Sequence, residues 1–403
     1  MQIENIKHKV NYYSLLLIAF MLPLKKEVIP PLIIIFLLSG TFRIKKNQNT
    51  KKAFLLLSLF GIYLAGLLYS NNTIEGIQNI ETKLSLIIFP VAFFFSEINY
   101  KKILPKAMKF YLEGCVTSII LGLTASTICY YHTNDLSEFF YGNLSYFSHA
   151  SYFSMYLTFG IIILYYFSFL PNKSTYIKPF LSLSLIALFS FTIFLLSSKT
   201  GISILIITHF SALLYWMIKH KKVVQGSIGL AAVISIFLLG YNKSTVIQNR
   251  LNEVISPLSN NNNPESSTQF RIAAWETASY LILKNPFIGY GTGATRNLLT
   301  EEYKKKQIET LVKKRLNCHN QYLEVTLNSG FIGLISLLAI LIFPIIWSIR
   351  LKNHLLLFFI LLLSFNFLTE SMLEIQSGVV FFTFFYTLLI HAQFSSNSIE
   401  TDK

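Results

Sequence analysis

The sequence predicts an all-α polytopic integral membrane protein, and three observations predict it. Apolar residues make up 53% of the chain. They collect in runs such as 53–70 and 180–197, and the charged residues, 13% of the total, fall mainly between the runs. A bilayer core leaves no water to partner backbone N–H and C=O groups, so lipid-exposed runs of this length are helical. Reading apolar stretches against charged breaks gives about twelve transmembrane helices, at 11–24, 28–42, 53–70, 84–96, 107–131, 149–170, 178–197, 200–218, 223–241, 326–349, 354–369 and 376–394. The chain therefore divides into nine helices within 1–240, one large, partly helical loop over 241–325, three helices within 326–394 and a tail, 395–403.

Orientation follows from the cations, because short basic loops resist translocation. Nineteen of the 34 lysines and arginines, from Lys7 through Lys101 and Lys219 to Lys403, fall on one side. Short loops on the other side hold only Lys25, Lys26, Lys83 and Lys199, and the remaining eleven lie in the long loop, where the rule does not apply. Both termini are expected on the cytoplasmic face and the long loop outside. This topology also accounts for most of the net charge of +15, so no nucleic-acid partner is implied; no compact basic recognition module is present. The first apolar stretch lacks a small-residue cleavage site and reads as a retained helix.

Three cysteines carry little chemistry. Cys115 and Cys129 stand on one predicted helix about 21 Å apart and cannot pair with each other. Cys318 precedes His319 directly, and adjacent side chains seldom face one another as a nucleophile and base must. No metal-ligand spacing is found, and only two aspartates, Asp135 and Asp402, are present.

The long loop holds the candidate site. Asn260 to Thr268 reads as a loop ending in an N-cap, and a helix follows over Gln269 to Lys284. Its apolar positions Ile272, Trp275, Ser279, Ile282 and Leu283 form one stripe, with Arg271 one turn before Trp275 and near the positive helix end. Such a helix suits a membrane surface and presents Arg271 to a phosphate. Asn285-Pro286 stops it, and Gly289, Gly291 and Gly293 permit left-handed turns; their backbone N–H groups either line an anion or form a simple turn. Glu301 to Arg315 reads as one charged, solvated helix. His319-Asn320-Gln321-Tyr322-Leu323 comes immediately before the returning apolar helix, which places the imidazole near the outer surface, where it is able to take a proton from a sugar hydroxyl.

Taken in order, Ser198-Lys199-Thr200-Gly201, Arg271-Ile272-Ala273-Ala274-Trp275, Asn285-Pro286-Phe287-Ile288-Gly289-Tyr290-Gly291 and His319-Asn320-Gln321-Tyr322-Leu323, with Gly330 and Gly333, resemble the O-antigen ligase and polymerase superfamily of bacterial envelope glycan transferases. The resemblance implies a twelve-helix enzyme of the bacterial inner membrane. At the periplasmic face it would move a glycan from undecaprenyl diphosphate to an acceptor hydroxyl, in ligases that of the lipid A core, with no cofactor and no metal. Carried over residue by residue, Arg271 and Lys199 would hold the diphosphate and His319 would orient or deprotonate the acceptor. Lys199 stands where the family usually has arginine; it keeps the charge and loses the bidentate fork. His149, in Ser148-His149-Ala150-Ser151-Tyr152, and Glu370 are further outer positions of interest, and Asn320, Tyr152, Trp275 and Gly291 complete the set of candidate contacts.

The donor already carries a good leaving group, so cations matter more than a general acid, and attack by the acceptor hydroxyl predicts inversion. A polymerase using the same donor is the nearest alternative, and a protein-directed oligosaccharyltransferase is a further one. A lipid-linked glycan flippase or transporter also needs about twelve spans, but it would place ionisable groups at mid-membrane, where this chain has almost none.

Overall fold

Long side chains of leucine, isoleucine and phenylalanine build helices that lipid does not compete with, and in the computed structural model every regular element among the described residues is helical. The structure describes residues 2–40, 52–96, 98–169, 178–222, 224, 227 and 267–394. In order, the helices are α1 (Gln2–Met21), α2 (Ile29–Ser39), α3 (Leu55–Gly66), α4 (Thr73–Lys83), α5 (Ser85–Phe95), α6 (Tyr100–Thr133), α7 (Tyr141–Leu144), α8 (Ala150–Phe169), α9 (Pro179–Leu196) and α10 (Lys199–His220). After these come α11 (Ser267–Lys284), α12 (Thr295–Lys305), α13 (Glu309–Lys314), α14 (Gln321–Arg350), α15 (His354–Thr369) and α16 (Gln376–Phe394).

Among the described residues, eight helical segments are long and apolar enough to cross a membrane, counting Lys52–Tyr69 (with α3) and Thr73–Phe95 (α4 with α5) as one span each, so the chain is a multi-pass, all-helical membrane protein, although the twelve spans expected are not all given. The expected stretch 223–241 lies outside the described residues apart from 224 and 227, as do 241–266 and the tail 395–403. At 1.5 Å per residue α2, with 11 residues, reaches about 16 Å and α15, with 16, about 24 Å; both fall short of a ~30 Å core. The helix expected at 11–24 begins much earlier, at Gln2, because Lys7, Lys9 and Glu4 are good helix formers that an apolar count ignores. The segment before the expected helix 84–96 forms α4, a polar helix capped by Asn72, whose side chain accepts from the Glu75 N–H.

α8 and α16 sit at the centre of the bundle, each with 89% of its apolar window buried, against 17% for α10 at the periphery. Their contact is aromatic: Phe381 and Phe385 of α16 meet Phe159 of α8, Tyr111 of α6 and Phe359 of α15. Ring edges on ring faces give this core directional packing beyond its buried area.

α14 is broken near its outer end. Ser329 (φ −133°, ψ 15°) and Gly330 (φ 61°, ψ −161°) leave helical geometry, so a short outer piece carries Gln321 to Asn328 and a second piece runs from Phe331 to Arg350. That second piece spans about 30 Å, the thickness of a bilayer core. The break would orphan backbone groups, and the loop after α11 partners them: Phe331 N–H donates to Pro286 O (2.8 Å), while Leu327 O and Asn328 O accept from Tyr290 N–H (3.0 Å) and Gly291 N–H (2.9 Å). The helix end and the glycine turn are one joint.

Gly330 has a conformation that side chains disfavour, and a Cβ there would collide with Phe287 O and C. Gly330→Ala is expected to cost about 1–3 kcal/mol from backbone strain, with further loss from the collision. A lower thermal midpoint and faster proteolysis within 267–320 relative to the membrane bundle are the expected readouts.

Candidate active site

The outer segment packs as a small core of its own on the end of the bundle. Ala274, Ala278 and Leu281 of α11 meet Leu299 and Tyr303 of α12, Leu311 of α13, and Cys318 and Leu327. The buried face of α11 matches the stripe read from the sequence only in part: Ile282 belongs to this core. Ile272 and Leu283 are exposed, and alanines take the inner face because small side chains let α11 approach α14. With Phe287 and Ile288 also exposed, this outward apolar surface suits lipid contact at the interface. The expected helix 301–315 is two helices, α12 and α13, separated at Gln307, which adopts φ +56°.

Glycines 289, 291 and 293 all have positive φ, and their close approaches explain the spacing: a Cβ on Gly291 would meet Gly66 O at 2.7 Å and one on Gly293 would meet Asn72 O at 2.5 Å. Thr292 locks the turn onto α3, its N–H donating to Gly66 O (3.1 Å) and its hydroxyl to Tyr63 O (2.7 Å). With the N–H groups of Tyr290, Gly291 and Thr292 all donating to carbonyls, this turn, Gly291 included, is a docking joint and not an anion cradle.

The joint positions two cationic or proton-carrying side chains around one carboxylate. Glu370 caps the end of α15 in extended conformation (φ −140°, ψ 138°) and is 5% exposed. Its Oε1 accepts from Arg271 Nη2 of α11 at 2.8 Å, and its Oε2 stands 3.3 Å from His319 Nδ1. His319 adopts φ +46° directly before Asn320, the N-cap of α14, which turns the imidazole away from the helix and toward Glu370. Burial alone would raise the Glu370 carboxyl; the hydrogen bond from His319 and the charges of Arg271, His319 and His149 outweigh it and hold the group below its ordinary value. A carboxylate only accepts, so the ring nitrogen that faces it, Nδ1, carries a proton, and Nε2 is the nitrogen left for proton exchange.

The other expected residues gather less uniformly. Thr200, next to Lys199 at the start of α10, donates its hydroxyl to Thr369 Oγ1 (3.0 Å), which brings the Lys199 backbone to the end of α15, beside Glu370. His149 is exposed, its Nδ1 2.7 Å from Ser151 Oγ. Tyr152 is buried on the first turn of α8, and its hydroxyl has no hydrogen-bond partner among the described residues; the same holds for the ring N–H of Trp275, one turn from Arg271. Asn320 is structural as a cap, accepting from the Tyr322 and Leu323 N–H groups, and its own N–H donates to Ser371 Oγ (3.1 Å). Cys318 is fully buried and its thiol is raised well above the ordinary range by that burial and by Glu324, so it is no thiolate nucleophile.

Three supporting residues were not read from the sequence. Lys83, fully buried at the end of α4, donates to Glu374 Oε2 at 2.8 Å and lies 4.7 Å from the Tyr63 ring centroid. Glu324, on the first turn of α14, accepts from Cys318 N–H (3.2 Å) and from Thr295 Oγ1 (3.2 Å). Glu374 anchors the segment that carries Glu370, and Glu324 anchors the loop that carries His319. Their sequence signal was slight: two carboxylates flanking apolar helices and one lysine that read only as topology.

Residues 184–338 match the family model described as O-antigen ligase. A curated relative, an uncharacterised protein of Haemophilus influenzae (strain ATCC 51907 / DSM 11121 / KW20 / Rd), is 31% identical over 146 residues, which is 35% of this chain. That match spans 36% of the relative's own length. Glu370 lies beyond the region matched by the family model, whereas Lys199, Arg271 and His319 lie within it. Over residues 184–338, then, the chain is similar to the O-antigen ligase family, which supports the resemblance carried by its motifs.

Proposed function

We propose that the protein is a membrane glycosyltransferase of O-antigen ligase type, moving a glycan from undecaprenyl diphosphate to an acceptor hydroxyl, that of the lipid A core, at the periplasmic face. The observation that carries this reading is the Arg271–Glu370–His319 constellation, held at the bundle end where α8, α10, α14 and α15 meet. Arg271 keeps further N–H groups beyond the one on Glu370 and is partly exposed, so it is able to bridge the carboxylate and a diphosphate. Lys199 adds a second cation at the same bundle end. As the bond between the anomeric carbon and the diphosphate oxygen breaks, the bonding electrons pass to the diphosphate, and these cations stabilise the growing charge.

His319 completes the step. Its Nε2 takes the proton of the acceptor hydroxyl as that oxygen bonds the anomeric carbon from the face opposite the diphosphate, which inverts the configuration. Glu370 positions the ring and stabilises the imidazolium that forms, as a carboxylate does behind a catalytic histidine. Tyr152 and Trp275 hold buried polar groups without partners among the described residues, a condition costing about 1–3 kcal/mol each, which a hydroxyl-rich substrate relieves. His149 and Asn320 border the same region.

Arg271→Ala and His319→Ala proteins are expected to insert normally and to lose glycan transfer in proteoliposomes holding donor and acceptor, the histidine change by about 10²- to 10⁴-fold. Normal transfer by both variants sinks the assignment. In a deletion strain, lipopolysaccharide core without any glycan cap supports the ligase reading; core bearing a single repeat unit supports a polymerase instead.

Glu370 supplies a pH test. Its carboxyl is depressed in the folded protein, so its contribution is complete above the ordinary glutamate range, about 4.3, and is lost as pH falls through the folded value. The wild-type thermal midpoint should be flat from neutral pH to about 5 and drop below about 4. Glu370→Gln should flatten that acid limb and lower kcat more than it changes KM.

A further inference from the structure

A second feature stands at the opposite end of the bundle. α8, α9, α10 and α15 enclose a cavity of about 280 Å³, walled by Ile162, Leu183, Ala212, Leu213, Leu355 and Phe358. Sixteen residues of α15, about 24 Å at 1.5 Å per residue, separate its His354 end from Glu370, so this cavity is no part of the transfer site.

The polar groups inside the wall partner one another. Tyr165 Oη lies 2.8 Å from His209 Nδ1 and Ser190 Oγ 3.0 Å from His209 Nε2, which ties α8, α9 and α10 together and leaves the interior with an apolar character. Charge is confined to the mouth. Lys219 and His220 are exposed there, with Lys219 Nζ 5.8 Å from the Tyr215 ring centroid and the His220 ring 5.5 Å from that of Trp216. The positive end of α15 opens at His354, which also lines the cavity. Lys178, Lys221, Lys222, Arg350 and Lys352 lie at the same ends of their helices, and stretches 159–169, 178–190, 205–222 and 343–360 contain no aspartate or glutamate.

An apolar slot below a ring of cations and interfacial aromatics matches an amphiphile with an anionic head. We infer that this cavity binds an anionic phospholipid of the lysine-rich leaflet, one acyl chain entering between α8 and α10 and the headgroup phosphate held by Lys219, His220 and the α15 N-terminus. Neutral lipid would gain the apolar contact without the ionic one.

The test is native mass spectrometry of the delipidated full-length protein titrated with phosphatidylglycerol or phosphatidylcholine. Wild type should retain a phosphatidylglycerol adduct in clear preference to phosphatidylcholine. Lys219→Gln should weaken that adduct about fivefold, the worth of one cation at a lipid surface. Ala212→Trp, which fills the slot, should remove it while helical circular dichroism and glycan transfer stay at wild-type levels. Equal retention of both lipids, or a phosphatidylglycerol adduct unchanged by Lys219→Gln, overturns the inference. So does a dimer that only Ala212→Trp disperses, which would make the slot a self-association surface.

Discussion

One buried carboxylate organises the end of the bundle on which residues 267–320 pack. Glu370 is nearly inaccessible, and an unpaired charge in that position would be strongly destabilising. Its two oxygens are met by Arg271 from α11 and His319 from the loop before α14, so the residue that most needs compensation also defines where two mobile types of side chain must be. The outer segment cannot dock differently without leaving Glu370 unpaired. Stability of the dock and geometry of the site are therefore one requirement.

Meeting that requirement depends on the break in α14. An unbroken helix would have kept its own hydrogen bonds and offered nothing to the loop at 286–291. The left-handed Gly330 frees backbone groups that Pro286, Tyr290 and Gly291 then satisfy. Thr292 extends the same contact to α3, and the Lys83–Glu374 pair fixes the segment beyond Glu370 to α4. Backbone polarity that lipid could not accept is thus concentrated at the Glu370 end of the bundle, where irregular chain is tolerated because protein covers it.

Much of the bundle was legible because hydrophobic runs report removal from water, whether into lipid or into the bundle core: helices at 149–170, 178–197, 354–369 and 376–394 appear within a residue or two of their expected ends. Arg271 and His319 were legible as a pair only through the order of motifs that flank them. What the sequence did not disclose is pairing across distance. Glu370 lies 99 residues from Arg271 and 51 from His319, and no local period encodes such contacts. The inner face of α11 was misread for a related reason: alanine, weak in any hydrophobic count, is what close helix approach selects, so the larger Ile272 and Leu283 pointed to the wrong side.

The two ends of the bundle treat charge in opposite ways, and the contrast follows from what each must exclude. At the Glu370 end, two buried carboxylates hold cations from other elements, Arg271 on Glu370 and Lys83 on Glu374, which fixes their positions and leaves only part of Arg271 open. Around the slot at the other end, the stretches 159–169, 178–190, 205–222 and 343–360 bring lysines and no carboxylate, and Lys219 stands over an apolar slot in place of a buried anion. Fixed, internally compensated cations suit a site whose geometry must persist through a reaction. Cations placed at the mouth of an apolar slot suit a leaflet that supplies its own anions, because lipid then provides counter-charge and orients the bundle in the bilayer.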